Sequence, residues 1–166
     1  MSKTAEDLFQ TLEKLGIETR SFDHPPLFTV EESRALRGRI PGLHSKNLFV
    51  RDRAKRFFLV VAEEDATIDL KSLHTRIGAQ GKVSFGSAEA MLDLLGVTPG
   101  SVTPFGAIND AGGQVTVVID ERLALAHAVN FHPLTNTRTT TLSGHDLIRF
   151  LRACGHEPLL LRLPEA

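Results

Sequence analysis

The chain has 166 residues, of which 42% are apolar and 23% are charged, as in an ordinary globular protein. This length suits one domain, residues 1–166, with a single sizeable core. The formal net charge of −1 excludes a general nucleic-acid coat protein, which would carry a clear excess of Lys and Arg.

Cysteine use and hydropathy indicate the compartment. The lone Cys154 excludes an internal disulfide and suits a reducing environment. No apolar run approaches the roughly 20 residues that span a bilayer. Residues 1–7 lack the apolar core of a signal peptide. We therefore expect a soluble cytoplasmic protein that has no membrane partner.

Capping residues and apolar periodicity predict the elements of the first half of the chain. Thr4 begins a helix with a capping box, Gly16 ends it, and Thr29 with Glu32 forms a second capping box. The further predicted segments are strands at 17–23, 46–51, 56–62 and 82–85 and helices at 30–36, 70–77 and 88–95, the last capped by Ser87. The uninterrupted apolar run 57–61 predicts a strand that is covered on both faces.

Short strands and turn-forming segments alternate in the second half. Segment 97–106 contains two prolines and two glycines, which predicts an ordered loop, and segment 123–126 is ambiguous between helix and strand. The other predicted segments are a turn at 109–113, strands at 114–119, 128–133, 138–142 and 158–163, and a helix from Ser143 to Gly155. About seven strands and five helices, with several short turns, predict a mixed α/β or α+β fold rather than a doubly wound parallel sheet.

Basic residues concentrate between residues 34 and 56. This segment has eight Lys or Arg residues and one acid, Asp52. Such a patch can bind a few phosphates, although a solvated hairpin tip explains the composition equally well.

Several kinds of chemistry are excluded by missing motifs. The chain has no Gly-x-Gly-x-x-Gly after a strand, no P-loop and no Gly-x-Ser-x-Gly elbow. None of its seven histidines pairs with another His or Cys at metal-ligand spacing. A metal-free, cofactor-free site built from Lys46, Asn47, the Gly/Pro loop and His132 remains. Taken singly, the lysine also fits a solvated strand end, the loop a surface turn and the histidine a satisfied strand end.

Four strings occur in a fixed order: DHPP at 23–26, KNLFVRD at 46–52, GSVTP at 100–104 and NFHPLTNT at 130–137. Together they resemble the YbaK-like family of aminoacyl-tRNA deacylases, which includes the editing insertion of bacterial prolyl-tRNA synthetases. The second and fourth strings look most like the freestanding branch that hydrolyses alanyl-tRNA(Pro). The resemblance covers about residues 4–163 and implies a mixed, barrel-like sheet surrounded by helices.

The resemblance also implies roles for individual residues. Lys46 would hold a phosphate or the ester end of the substrate, and Asn47 would orient substrate or water. The backbone of residues 100–104 would bind the α-amino group and help position the attacking water. In this family the neighbouring ribose hydroxyl is thought to assist, which would explain the lack of an obvious protein base. The substrate-binding residues would be His132, which sets the pocket size, together with His24, Ser87, Ser101, Val102, Thr103, Pro104 and Asn130.

Two alternatives to alanyl-tRNA(Pro) deacylation stay open. One is another substrate within the family, cysteinyl-tRNA(Pro) or seryl-tRNA, and the other is a non-catalytic tRNA-binding module. The partners implied are tRNA, touched at its acceptor stem by the basic hairpin 51–56, and prolyl-tRNA synthetase; duplex DNA is not expected. The editing interpretation requires Lys46, the 100–104 bend and His132 to meet at one cavity that is too small for a pyrrolidine ring.

Overall fold

A computed structural model describes residues 2–26 and 30–164. The α-helices are α1 (Ala5–Lys14), α2 (Val30–Arg37), α3 (Leu73–Ile77), α4 (Ala88–Leu95), α5 (Glu121–Leu125) and α6 (Gly144–Ala153). The strands are β1 (Arg20–Asp23), β2 (Leu43–Arg51), β3 (Phe57–Glu63), β4 (Ser84–Phe85), β5 (Val115–Asp120), β6 (Val129–Phe131), β7 (Arg138–Leu142) and β8 (Leu159–Leu161). Two short 3-10 helices, Pro99–Ser101 and Pro104–Asn109, lie between α4 and β5.

The eight strands form one mixed sheet in the order β1-β7-β6-β2-β3-β5-β8, with β4 paired to β2. β2 and β3 form the predicted antiparallel hairpin, whereas β2–β6, β3–β5 and β5–β8 pair in parallel. This confirms the mixed α/β class.

Local sequence explains where the longest helices begin. The Thr4 hydroxyl accepts a hydrogen bond from the Asp7 N–H, and the Asp7 carboxylate accepts one from the Thr4 N–H, so the predicted capping box is confirmed. Ser143 caps α6 in a similar way through the Asp146 N–H. The capping box predicted at Thr29 lies outside the described residues.

β3 is covered on both faces, as its apolar run predicts. Leu59 and Val61 belong to one hydrophobic cluster, which is packed with α1, α4 and α6. Phe58 and Val60 belong to the other cluster, beneath α3. Because successive side chains of a strand point to opposite faces, a continuous apolar run supplies both layers.

Several predicted segments were wrong in extent or type. The first strand starts at Arg20 rather than 17, and α3 starts at Leu73 rather than 70. Segment 97–106, predicted as a loop, contains one 3-10 helix and the start of a second, each with a proline at its N-terminus, where a missing N–H costs nothing. The ambiguous segment 123–126 is largely helical, and Asp120 caps this helix through the Arg122 N–H.

One edge of β2 is only partly paired. It pairs with β6 at Leu43 and His44 and with β4 at Val50 and Arg51, so a gap separates these two partners. The Leu43 N–H bonds to the Ala128 carbonyl and the Phe49 carbonyl accepts from the Gly86 N–H, so the backbone of odd-numbered residues points to this edge. The backbone N–H and C=O of Asn47 therefore face the gap.

No helix in residues 2–26 and 30–164 has both the length and the apolar character needed to cross a membrane.

Candidate active site

A cavity of about 250 Å³ lies beside the gap in β2. Its walls come from α2, β2, the first 3-10 helix, the end of β6 and β7. The lining residues are Leu36, His44, Ser45, Asn47, Pro99, Gly100, Val102, Asn130, Phe131, His132 and Thr139. Three predicted site residues, Asn47, Gly100 and His132, thus meet at one cavity although each is more than 30 residues from the next in sequence.

Asn47 lines this cavity and carries an unsatisfied acceptor atom. Its Nδ2 donates to the Ser45 hydroxyl at 3.2 Å, while its Oδ1 is buried and has no hydrogen-bond partner among the described residues. A buried amide oxygen without a donor costs about 1–3 kcal/mol. A ligand group or water that donated a hydrogen bond to this oxygen would remove that cost.

His132 is a neutral imidazole at neutral pH. Burial lowers its pKa; the hydrogen bond between Nδ1 and the Arg138 carbonyl, at 3.0 Å, raises the pKa, and protonation of the neighbouring His24 would lower it further. Because a carbonyl only accepts, Nδ1 carries the proton and Nε2 is left as an acceptor.

His24, the residue after β1, contacts two residues of the same cavity wall. Its Nδ1 donates to the Pro25 carbonyl and its Nε2 accepts from the Thr139 hydroxyl, both at 2.9 Å. The ring meets His132 edge-on, with centroids 6.2 Å apart. His24 is therefore placed behind Thr139 and His132, which line the cavity.

The 99–104 segment turns only part of its predicted set toward the cavity. Gly100 and Val102 line it together with Pro99. A Cβ at Gly100 would come within 3.3 Å of the Asn136 Nδ2, so a side chain there would crowd this wall. Ser101, Thr103 and Pro104 are instead buried, and the Thr103 hydroxyl accepts from the Phe105 N–H to cap the second 3-10 helix.

Asn130 lines the cavity and also ties its floor together. Its Nδ2 donates to the Pro41 and Leu43 carbonyls at 3.0 and 3.1 Å, and its Oδ1 accepts from the Thr141 hydroxyl. These bonds fix the start of β2 against β6 and β7, and so fix the mouth of the gap.

Lys46 and Ser87 are placed differently from the other predicted residues. Lys46 is half-buried and lies opposite Ala62 in the register, on the face of Leu48 and Val50 rather than that of Asn47. Its side chain is not among the lining residues, and it makes no hydrogen bond or ion pair within the described residues. Ser87 is the N-cap of α4, where its hydroxyl accepts from the Ala90 N–H, and it is also outside the lining.

Other reactive groups of the described chain lie outside the cavity. Burial raises the pKa of Cys154 to about 11, so the thiol is protonated and unreactive at neutral pH. Glu63, Glu64 and Asp65 are close enough together to share a cation, but they lie at the end of β3 and line no part of the cavity. The lining thus offers amide and hydroxyl groups, backbone groups and the imidazoles of His44 and His132.

Sequence reasoning missed part of the lining, chiefly Leu36, His44, Ser45, Pro99, Phe131 and Thr139. Three of these, Ser45, Pro99 and Phe131, are next in sequence to predicted site residues, so the motifs predicted their neighbourhood but not the residues themselves. Leu36 and Thr139 come from elements whose approach to β2 depends on the order of strands in the sheet.

The sequence model of the aminoacyl-tRNA editing domain matches residues 24–150, well over half of the chain. The chain belongs to the aminoacyl-tRNA editing domain family. Editing domains of this family are aminoacyl-tRNA deacylases, so this chain is an ester hydrolase that acts on mischarged aminoacyl-tRNA.

Individual relatives of this editing domain carry names linked to prolyl-tRNA. It is 37% identical over 163 residues to the prolyl-tRNA synthetase associated domain-containing protein 1 of Mus musculus, with 96% of each chain covered. It is 38% identical over 146 residues to the prolyl-tRNA editing protein ProX of Acetoanaerobium sticklandii, covering 87% of this chain and 88% of that protein.

The fold of this editing domain is also found in solved structures. A crystal structure described as that of a candidate trans-editing enzyme for prolyl-tRNA synthetase superposes with a TM-score of 0.73 at 18% identity. The match covers 100% of this chain and 99% of the other. At that identity the likeness establishes the shared fold alone.

Proposed function

We propose that this editing domain hydrolyses alanyl-tRNA(Pro) in trans. The observation that carries the proposal is the cavity of about 250 Å³ whose lining brings together Asn47, Gly100 and His132. Pockets for drug-sized ligands run from about 300 to 1,000 Å³, so this volume suits a small aminoacyl group and the edge of a ribose.

An editing step is needed because the proline site of a synthetase discriminates weakly against alanine. A synthetase site shaped for proline cannot strongly reject alanine, because a missing methylene or two changes binding by only about 1–3 kcal/mol. A second site that admits alanine and excludes the larger ring corrects the error. Phe131, Val102 and His132, which are all on the cavity wall, are the residues that would set this limit.

The reaction is an ester hydrolysis. A water oxygen bonds to the carbonyl carbon of the amino acid, the bond from that carbon to the ribose oxygen breaks, and the ribose oxygen takes up a proton. The Asn47 Oδ1 would accept a hydrogen bond from the α-ammonium or the water, and the backbone at Gly100 would hold the α-ammonium. The Nε2 of neutral His132 would accept a further hydrogen bond from substrate or water.

We propose that the Lys46 side chain reaches the substrate across the unpaired edge of β2. His44 has the same parity as Lys46 and lines the cavity, so the face that carries Lys46 is continuous with the cavity mouth. A lysine has a flexible four-carbon stem, which allows its ammonium to turn over the unpaired edge and meet the terminal phosphate or the ester of the substrate.

Comparing alanyl-, cysteinyl- and prolyl-tRNA(Pro) side by side tests the proposal. We expect rapid release of alanine, slower release of cysteine and no release of proline above the rate without enzyme. Preference for cysteinyl-tRNA(Pro) or for seryl-tRNA would replace the substrate but keep the activity. Salt-dependent tRNA binding without any ester hydrolysis would contradict a catalytic role altogether.

The partners of the proposed reaction are the acceptor end of tRNA and, through it, prolyl-tRNA synthetase. An editing enzyme that acts in trans must capture the mischarged tRNA after the synthetase releases it. Adding the synthetase to the deacylation assay should therefore leave the chemical step unchanged and alter only the supply of substrate.

A further inference from the structure

We propose that Phe85, with the basic residues beside it, is a stacking platform for a nucleobase in the single-stranded 3′ end of the tRNA. The inference rests on the proposed function and adds a second contact outside the cavity. Phe85 is in β4 and is 62% exposed, an unusual position for a large aromatic side chain.

Basic residues are concentrated in the two chain segments that meet at this phenylalanine. The segment that contains Phe85, 78–86, and the neighbouring segment 51–58 have one acidic residue between them, Asp52. The basic residues there with exposed side chains and no ion pair within the described part of the chain are Arg51, Arg53, Lys55 and Lys82. An exposed aromatic ring among cations is the composition that binds single-stranded nucleic acid, with phosphates on the cations and a base on the ring.

Hydrogen bonds hold the two basic segments together. The Asp52 carboxylate, which is 4% exposed, accepts from the Arg56 N–H and Nε and from the Gln80 N–H. The Arg53 N–H donates to the Gln80 carbonyl at 3.0 Å, and the Arg56 Nη2 donates to the Gly78 carbonyl at 3.0 Å. The single acid of this region is thus used internally, and the outward charge stays positive on a fixed frame.

The platform is within reach of a substrate held in the cavity. Phe85 pairs with Val50, three residues after Asn47, so it lies about 10 Å farther along β2 at a rise of about 3.3 Å per residue. β4 occupies the same edge of β2 that the gap leaves open. Side chains opposite one another in a ladder share a face, so Phe85 is on the face of Val50, Leu48 and Lys46.

A second copy of this chain fits the patch poorly. In a twofold dimer the same surface would meet itself, which would place the exposed cations of one copy against those of the other. A single-stranded nucleic acid fits better, because its phosphates can pair with the cations and an unpaired base can stack on the Phe85 ring.

The first experiment measures binding of uncharged tRNA(Pro) and of a short RNA ending in CCA by the full chain. We expect Phe85→Ala to weaken both by about 5- to 100-fold, the usual effect of losing one stacked base, and to raise KM for the charged tRNA with kcat unchanged. Leu125→Ala is the matched control, because Leu125 is 73% exposed on α5, and it should bind like the wild type. Equal binding by Phe85→Ala and wild type overturns the inference.

The second experiment uses the absence of Trp and Tyr from the sequence. Phe85→Trp creates a single strong fluorophore and should keep wild-type affinity, since Trp also stacks on bases. We expect its emission to be quenched when the CCA-ended RNA is added, whereas Leu125→Trp should not respond. Unchanged emission from Phe85→Trp at saturating RNA contradicts stacking.

A third measurement tests the charges. Lys82→Gln should reduce the slope of log affinity against log salt by about 0.7, the value for one phosphate contact on a single strand. If wild-type protein hydrolyses no mischarged tRNA, the proposed function fails, and RNA binding still decides the role of Phe85. If it hydrolyses alanyl-tRNA(Pro) and Phe85→Ala has normal KM and RNA affinity, only the platform fails. Self-association that Phe85→Ala abolishes, with RNA binding intact, assigns the patch to a second copy instead.

Discussion

β2 and β3 are adjacent strands of nine and seven residues, but they differ in how completely their edges are paired. β3 has a partner on both edges, β2 from Phe57 to Glu63 and β5 from Phe57 to Val61, and Phe58–Ala62 are fully or almost fully buried. β2 is paired along its whole β3 side from Ser45 onward, but on the other side its partners stop at His44 and resume at Val50.

The difference shows how this fold makes room for a site. A strand that is paired on both edges satisfies its backbone groups and can fill both faces with apolar side chains. At the gap in β2, the backbone of Asn47 faces an edge with no strand partner in the described chain, and its Oδ1 has no hydrogen-bond partner among the described residues. The order of the rigid sheet therefore creates the cavity, with no need for a long flexible loop.

The largest effect expected at the open strand is from Lys46→Ala. We expect it to abolish deacylation of alanyl-tRNA(Pro), a loss of at least about 10²–10³-fold, because a positioned cation or donor would no longer stabilise the reacting ester. Circular dichroism should remain native, since the side chain makes no hydrogen bond within the described residues. An active variant would remove Lys46 from the site and leave Asn47 as the residue of β2 that matters.

The comparison becomes sharper with one truncation in each strand. Leu59→Ala in β3 removes a fully buried side chain and should lower the free energy of unfolding by about 2–5 kcal/mol. Asn47→Ala in β2 should change it by less than about 1 kcal/mol, or raise it, because the change also removes an unsatisfied buried acceptor.

The same pair should behave in the opposite way in activity assays. Asn47→Ala should reduce kcat/KM by about 10- to 100-fold through the loss of a hydrogen bond to substrate. Leu59→Ala should retain activity at temperatures where it is folded. Urea denaturation and deacylation kinetics on both variants check this, and a large loss of stability in Asn47→Ala would make its role structural.

The smallest expected effect is on pH dependence and involves His132. Its pKa in the folded protein is below the ordinary value of about 6.5, chiefly because of burial. As pH falls below 6.5, the unfolded chain takes up the proton first, so this histidine reduces stability until pH passes its folded pKa. Each pH unit costs at most about 1.4 kcal/mol.

Urea denaturation at pH 7.5 and 5.5 tests this sign. Wild-type protein should lose more stability over that interval than His132→Gln, which has no proton to take up there. An equal loss in both proteins would mean that His132 titrates alike in the folded and unfolded chain.

Local sequence determined much of the fold. The capping residues Thr4 and Ser143 specify where helices start, and the apolar run 57–61 specifies a strand that is buried on both faces. These features depend on neighbours within a few residues, so they can be predicted from sequence alone. The ordered motifs around Asn47, Gly100 and His132 also indicated the editing family.

Only the tertiary structure decided how the site is assembled. The gap in β2 exists because β6 and β4 pair with the two ends of one strand, and those partners lie more than 30 residues away in sequence. The same arrangement brings Leu36 and Thr139 into the cavity wall and leaves Phe85 exposed among cations. Long-range strand order is set by the joint packing of the whole sheet, so no local pattern contains it.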